Sequence, residues 1–325
     1  MTLPTPPSKI KVYLLTGFLG AGKTTVLNGL LQAKKDEENI IIENEFGKVS
    51  IDSHLVETRY CSLFEMNNGC ICCTLDNELV EVLASILNAE VQPDNLFIEA
   101  SGVADPGGII ALFSQEEVAN FFQLHQVVCV VDATVVEDWM EEIPEVSRQL
   151  AAADLIVLNK KSLVSPSYLP QLTQLVQGVN SLAEIMVTDH GIIPHDILTK
   201  QKKPWDPAKT IPEVEAKSPH PLKSMLFEVE ELIDREMLLN QLTLSFFLSY
   251  HQLYRMKGLV WLSDSTLPHI VQTHGRQVHI APLEGEVKLP YPKSQLIFIG
   301  KGLERKSLER KIQRTLASQK SNSKL

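Results

Sequence analysis

Residues 17–24 read Gly-Phe-Leu-Gly-Ala-Gly-Lys-Thr, a complete G-x-x-x-x-G-K-[ST] phosphate-binding pattern. The residue types explain the chemistry. Gly17, Gly20 and Gly22 let backbone amides curl around an anion, and a helix starting near Lys23 aims its positive end at the same phosphates. Lys23 can then reach the β- and γ-phosphates, while the Thr24 hydroxyl can sit on Mg²⁺. The pattern implies a bound nucleoside triphosphate.

A second cluster is Asn68-Gly69-Cys70-Ile71-Cys72-Cys73. Three thiols within four residues offer soft ligands to a borderline or soft ion such as Zn²⁺ or Cu⁺. Their spacing differs from the paired C-x₂-C knuckles of closed structural zinc sites. One ligand position is left over for Glu43, Cys61, a histidine or water, and an incomplete shell can release its ion. Buried apolar cysteines, a redox pair and a structural metal knot compete with that reading. A disulfide between the adjacent Cys72 and Cys73 would be strained. Cys129, inside an apolar run, is expected in the core.

Phe97-Ile98-Glu99-Ala100-Ser101-Gly102 puts an acid at the end of an apolar run and a glycine three residues later. In P-loop proteins such an acid holds the Mg²⁺ shell and the glycine amide senses the γ-phosphate. Asp132, ending Val-Val-Cys-Val-Val-Asp, competes for the acid's role, but Gly102 favours Glu99. Leu158-Asn159-Lys160-Lys161-Ser162 stands where a GTPase carries Asn-Lys-x-Asp, whose Asp accepts hydrogen bonds from guanine N1–H and the exocyclic amine. Ser162 cannot offer a bidentate carboxylate, a loss of about 2–4 kcal/mol of base discrimination. Guanine preference is then either weakened or supplied from elsewhere.

Positioning these residues requires a particular framework. Short apolar runs at Lys11–Leu15, Asn39–Ile42, Asn95–Ile98, Val127–Val131, Leu155–Leu158 and Glu184–Val187 alternate with helix-like segments. Mostly continuous rather than alternating, they predict a doubly wound, mostly parallel α/β sheet covered on both faces, with ligands at its carboxyl rim. The phosphate loop and residues 44–47, 101–106 and 159–160 all follow such runs and should converge there. The Lys- and Pro-rich stretch 201–221 reads as a linker between a domain over 1–200 and a smaller α+β domain over 222–325. That second domain is expected to hold a strand at Ser224–Val229, a helix over about Asp234–Tyr250, and short strands near Leu259, Ile270, Val278 and Ile297. A basic amphipathic helix from Lys301, with Leu303, Leu308, Ile312 and Leu316 on one face, is expected to dock on it.

Composition narrows the classes. A formal net charge of −10 argues against nucleic acid and anionic membranes as partners. The N-terminal residues lack the pattern of a signal peptide, and no apolar stretch approaches the ~20 residues that cross a bilayer. Five cysteines, three of them in residues 70–73, suit a reducing cytoplasm rather than a secreted disulfide framework.

Taken together, Thr16–Thr25, Glu43-Asn44-Glu45-Phe46-Gly47, Gly69-Cys70-Ile71-Cys72-Cys73 and Glu99-Ala100-Ser101-Gly102-Val103-Ala104-Asp105-Pro106 closely resemble the CobW-type metallochaperone GTPases, relatives of the nickel-insertion GTPases for urease and hydrogenase. Arg255–Trp261 resembles the family's R-x-K-G strand, and Phe298-Ile299-Gly300 its closing strand, so the likeness covers essentially the whole chain. Thr188-Asp189-His190-Gly191 resembles the family's Thr-His-Gly loop with one extra residue. The resemblance implies a P-loop GTPase domain and a CobW-like C-terminal domain, with GTP hydrolysis coupled to handling of Zn²⁺, Co²⁺ or Ni²⁺ for a client metalloprotein. Carried over by position, Gly17, Gly20, Ala21, Gly22, Lys23, Thr24, Thr25, Gly102, Asn159 and Lys160 bind the nucleotide. Glu99 is the acid that holds Mg²⁺ with Thr24, and Cys70, Cys72, Cys73 and Glu43 take the transferred ion. Lys23 and Glu99 are expected to serve the hydrolysis, and Glu45, in the stretch after the second run where P-loop GTPases place a segment ordered by the γ-phosphate, is the candidate to orient the water because no glutamine stands in that role. Self-association is compatible with all of this. So are two rivals: an interaction protein with a permanent structural zinc, and an ATP-using P-loop enzyme.

Overall fold

The structure, a computed structural model, describes residues 9–43, 61–65, 75–89, 91–194, 222–249, 252–274, 277–283, 291 and 293–317. Two compact units result, residues 1–172 with 183–202, and residues 173–182 with 203–325. The stretch expected as a linker, 201–221, lies outside the described residues.

In the first unit the apolar runs become strands β1 (Ile10–Thr16), β2 (Asn39–Glu43), β3 (Cys61–Glu65), β4 (Asn95–Glu99), β5 (Phe122–Asp132), β6 (Leu155–Asn159) and β7 (Glu184–Val187). They form one sheet in the order β3-β2-β4-β1-β5-β6-β7, and every neighbouring pair is parallel. The expected doubly wound sheet is thus present, wholly parallel. Along β1, Val12 and Leu14 join one apolar cluster with Leu96, Ile98 and Leu83. Tyr13 and Leu15 join the other, with Val26, Leu27 and Leu30 of helix α1 (Lys23–Ala33). Alternate side chains therefore enter cores on opposite faces, which is why the run is apolar at each position from Val12 to Leu15.

Two strands depart from the expected runs. β3, at the sheet edge, was not expected, because Cys-Ser-Leu-Phe-Glu has no continuous β-branched run to mark it. β5 begins five residues before Val127, since Phe122, Gln123 and Leu124 pair with Ile10, Lys11 and Val12. Its polar residues Gln123, His125 and Gln126 hide that half from an apolar-run reading.

The remaining helices of this unit follow the strands: α2 (Leu75–Leu87), α3 (Gly107–Leu112), α4 (Glu116–Ala119), α5 (Val136–Glu142) and α6 (Pro144–Ala152). Helix α7 (Leu169–Val179) begins in this unit, and its residues from Thr173 onward are grouped with the second. No helix among the described residues is long and apolar enough to cross a membrane.

The second unit is an antiparallel sheet of five strands in the order β11-β10-β9-β12-β8. Its members are β8 (Leu222–Val229), β9 (Leu253–Trp261), β10 (Pro268–His274), β11 (Gln277–Pro282) and β12 (Ser294–Lys301). Helix α8 (Arg235–Leu248) begins where the Asp234 carboxylate accepts a 3.0 Å hydrogen bond from the Met237 amide. Leu238, Leu242 and Phe246 of α8 share an apolar cluster with Leu308 and Ile312 of α9 (Arg305–Gln313) and with Leu316. The C-terminal helix therefore docks on the small sheet as expected, but starts at Arg305 rather than Lys301. Lys301 still pairs with Leu222 as the last residue of β12, and Gly302 turns the chain at a φ of 66° before the helix can begin.

A buried histidine in this unit carries a pH prediction. The Arg235 guanidinium donates to His269 Nε2 at 3.0 Å and to the Asp264 carboxylate at 2.6 Å, so His269 Nδ1–H is the proton that meets the Leu267 carbonyl at 3.0 Å. Burial, reinforced by the Arg235 charge, holds the His269 pKa below its usual value, against the opposing pull of the Leu267 carbonyl and Asp264. Burial likewise depresses His279. Both imidazoles are neutral in either state at pH 7.5. As pH falls through about 6.5 the unfolded chain takes up protons that the folded one refuses. Stability contributed here is full above that pH and is lost progressively below it. Thermal melts at pH 7.5 and 5.5 should show the second unit melting earlier in acid, with a smaller difference for His269→Gln.

Candidate functional site

The carboxyl ends of β1, β4 and β6 meet at one rim. The first glycine-rich turn runs from β1 into α1, with Gly22 at φ 99° and ψ 32° as the residue before the helix. That left-handed turn aims the first helical amides back into the loop, where an anion would sit. Lys23 is nearly buried at 9% exposure, and Ala21 lies wholly inside. Phe18 packs edge-on against Trp139 with ring centroids 4.8 Å apart, covering one side of the loop.

Thr24 Oγ1 donates to Glu99 Oε1 at 3.3 Å, across 75 residues of sequence. A Cβ on Gly102 would stand 2.8 Å from the Leu19 amide nitrogen, so the turn after β4 lies directly against the phosphate loop. Gln149 of α6 holds that turn by donating to the carbonyls of Gly102 and Ala104 at 3.0 and 3.1 Å. The turn after β4 and the phosphate loop are thereby brought together at the rim. Glu43, at the end of β2, is the register partner of Glu99 in the neighbouring strand.

Asp132, the competing acid, is committed elsewhere. Its carboxylate receives Lys160 Nζ at 2.6 Å and the amide and hydroxyl of Thr134 at 2.9 and 2.6 Å. Burial pushes its pKa up, yet these bonds to Lys160 and Thr134 outweigh it and hold the carboxyl below the usual range. This pairing, which fixes the Lys160 side chain, has no local signature in the sequence.

Asn159, 3% exposed, bridges two loops: its Nδ2 donates to the Ala21 carbonyl at 3.0 Å, and its Oδ1 accepts the Gly191 amide at 3.1 Å. The loop after β7 is thus tied to the phosphate loop. It also reaches Ser162, whose amide donates to Asp189 Oδ1 at 2.9 Å. His190, in that loop, is exposed and has a φ of 52°. The extra Asp in Thr-Asp-His-Gly was the only sequence signal of this contact.

Cys129 is fully buried and burial pushes its thiol pKa up to about 12, against a smaller opposing effect of the Lys23 charge. It is a neutral core residue and a poor metal ligand. Glu45, Cys70, Cys72 and Cys73 lie outside the described residues, and among the described ones no group of three His, Cys, Asp or Glu could hold a metal.

A parallel sheet whose inner strand runs into such a loop, with the loop's threonine on the acid ending the adjacent strand, defines a P-loop nucleoside triphosphatase domain. Residues 11–187 match the family described as CobW/HypB/UreG, nucleotide-binding domain, and residues 222–316 match the cobalamin synthesis protein CobW C-terminal domain. The chain belongs to the CobW/HypB/UreG family of P-loop GTPases. It is 31% identical over 302 residues to zinc chaperone YjiA of Escherichia coli (strain K12), spanning 90% of this chain and 94% of that protein. It is 34% identical over 209 residues to zinc chaperone CobW of a Sinorhizobium species, spanning 55% and 58% of the two chains. Its fold is similar to the crystal structure of Zn(II)-bound YjiA GTPase from E. coli, with a TM-score of 0.71 and 26% identity over 95% of this chain and 99% of that one.

Proposed function

We propose that this protein is a GTP-hydrolysing metallochaperone that takes Zn²⁺ at Cys70, Cys72 and Cys73 with Glu43 and passes it to a client metalloprotein. The observation that carries the reading is the pairing of Glu43 with Glu99 on adjacent strands, with Glu99 accepting the Thr24 hydroxyl of the phosphate loop. A change at the γ-phosphate that moves Glu99 therefore acts one strand away from a ligand of the cargo ion. The relatives named zinc chaperones add support for zinc as cargo; thiolates also accept Co²⁺ and Ni²⁺. Free thiols of this kind need a reducing compartment such as the cytoplasm.

In hydrolysis, Lys23 and the loop amides neutralise charge on the β- and γ-phosphates, the Gly102 amide meets the γ-phosphate, and Glu45 orients the attacking water. Thr24 and Glu99 present hard oxygens of the kind that Mg²⁺ prefers, and they would hold it. Bound there, Mg²⁺ supplies further charge neutralisation on the phosphates.

Calorimetric zinc titrations with a non-hydrolysable GTP analogue, with GDP and with neither test the reading. Coupling predicts zinc affinities that differ about 10-fold between the two nucleotide states. Cys72→Ala should weaken zinc binding about 100-fold while nucleotide affinity holds. Equal affinities in every state would instead leave a permanent structural zinc.

A further inference from the structure

The Asn-Lys-x-Asp position that reads guanine ends here in Ser162, yet a carboxylate stands beside it. Asp189, from the loop after β7, lies 27 residues along the chain and accepts the Ser162 amide at 2.9 Å through one oxygen. The Ser162 side chain also bonds it, and these contacts hold its carboxyl below the usual range, so it is ionised at neutral pH. Three ties lock the loop in place: Lys161 N–H donates to the Thr188 carbonyl at 3.2 Å, Gly191 N–H to Asn159 at 3.1 Å, and the Thr188 hydroxyl to the Ile192 carbonyl at 2.7 Å. Asn159 connects the same loop to Ala21 of the phosphate loop. Lys160, expected along the base, is the residue next but one to Ser162 and is anchored on Asp132.

We propose that Asp189 is the specificity-determining carboxylate of this GTPase: Ser162 and Asp189 form a rearranged pair in which the acid that reads guanine N1–H and the 2-amino group comes from the loop after β7. Ser162 acts as the positioning residue that fixes the carboxylate. The proposal rests on the nucleotide being GTP and deepens that reading.

Xanthine nucleotides give a test with a gain of function. Xanthine carries a C2 carbonyl in place of guanine's 2-amino group, so an amide offering one acceptor and one donor suits it, whereas a carboxylate suits guanine. Nucleotide affinities of the full chain for GDP, XDP and ADP should be measured for the wild type, Asp189→Asn, and the exchanged pair Ser162→Asp/Asp189→Ser. The wild type should prefer GDP to both others. In Asp189→Asn, GDP affinity should fall about 100-fold and XDP affinity should rise, reversing the preference. The exchanged pair should regain the preference for GDP.

A wild type that binds ADP as well as GDP would sink the GTP reading itself. A wild type that prefers GDP, with the GDP-to-XDP ratio unchanged in Asp189→Asn, would overturn the role of Asp189 alone. So would a uniform loss of all three nucleotides that the exchanged pair does not repair. If Asp189→Asn fails to fold, the exchanged pair decides: preference for GDP supports the proposal, and its absence overturns it.

Discussion

Gly17→Ala should lower the melting temperature of the nucleotide-binding unit sharply, while Gly20→Ala should leave it close to wild type. Both glycines have positive φ, 136° and 74°, so each alanine meets some backbone strain. Only at Gly17 is there also a collision: an added Cβ would stand 2.1 Å from the Val130 carbonyl oxygen and 3.0 Å from its carbonyl carbon. Val130 lies within β5 and pairs with Val157 of β6, so its backbone cannot yield cheaply. Strain and overpacking together cost about 3–5 kcal/mol, equivalent to about 6–20 °C in a unit of this size. Around Gly20 nothing stands within 4 Å of the new atom, which leaves about 1 kcal/mol of strain alone. Melts followed by circular dichroism settle it, and equal losses for the two variants would contradict the packing of the loop on β5.

Lys23→Met should cut GTP turnover by about 10²–10³-fold with the fold intact. The side chain is nearly buried at the start of α1, next to the amides of the loop, and methionine matches its length and apolar stem. On the function proposed above, what is lost is the positive charge that meets the β- and γ-phosphates, where negative charge must be held as the bond breaks. Phosphate release measured at saturating GTP checks it, beside melts that establish folding. Unimpaired turnover in a folded Lys23→Met variant would mean that the loop does not perform the hydrolysis.

Much of this architecture was legible along the chain for a simple reason. A strand buried on both faces is apolar at each position, as Leu155–Leu158 is, and a phosphate loop needs its glycines and lysine in consecutive order. Features with weaker local chemistry were hidden. β3 is a short edge strand, the first half of β5 is polar on its outer positions, and β12 runs on to Lys301 because β8 pairs with it that far. Gly102 ranks Glu99 above Asp132 in the sequence, but the reason the two acids differ is spatial: Asp132 receives Lys160 and Thr134, and Glu99 receives Thr24.

The chain by itself determined that a phosphate loop would be followed by a helix, that parallel strands would carry it, and that soft thiols would lie between the second strand and the acid at Glu99. Tertiary structure alone decided which side chains meet at the rim. Thr24 finds Glu99 across 75 residues, Asn159 finds Ala21 across 138, and Asp189 reaches Ser162 across 27. Those meetings follow from β1 lying between β4 and β5, with β6 and β7 beyond. Backbone conformation is set largely by sequence neighbours, and burial by distant elements still demands apolar residues position by position, so both leave a local pattern; strand order is set by the packing of the whole sheet, and leaves none.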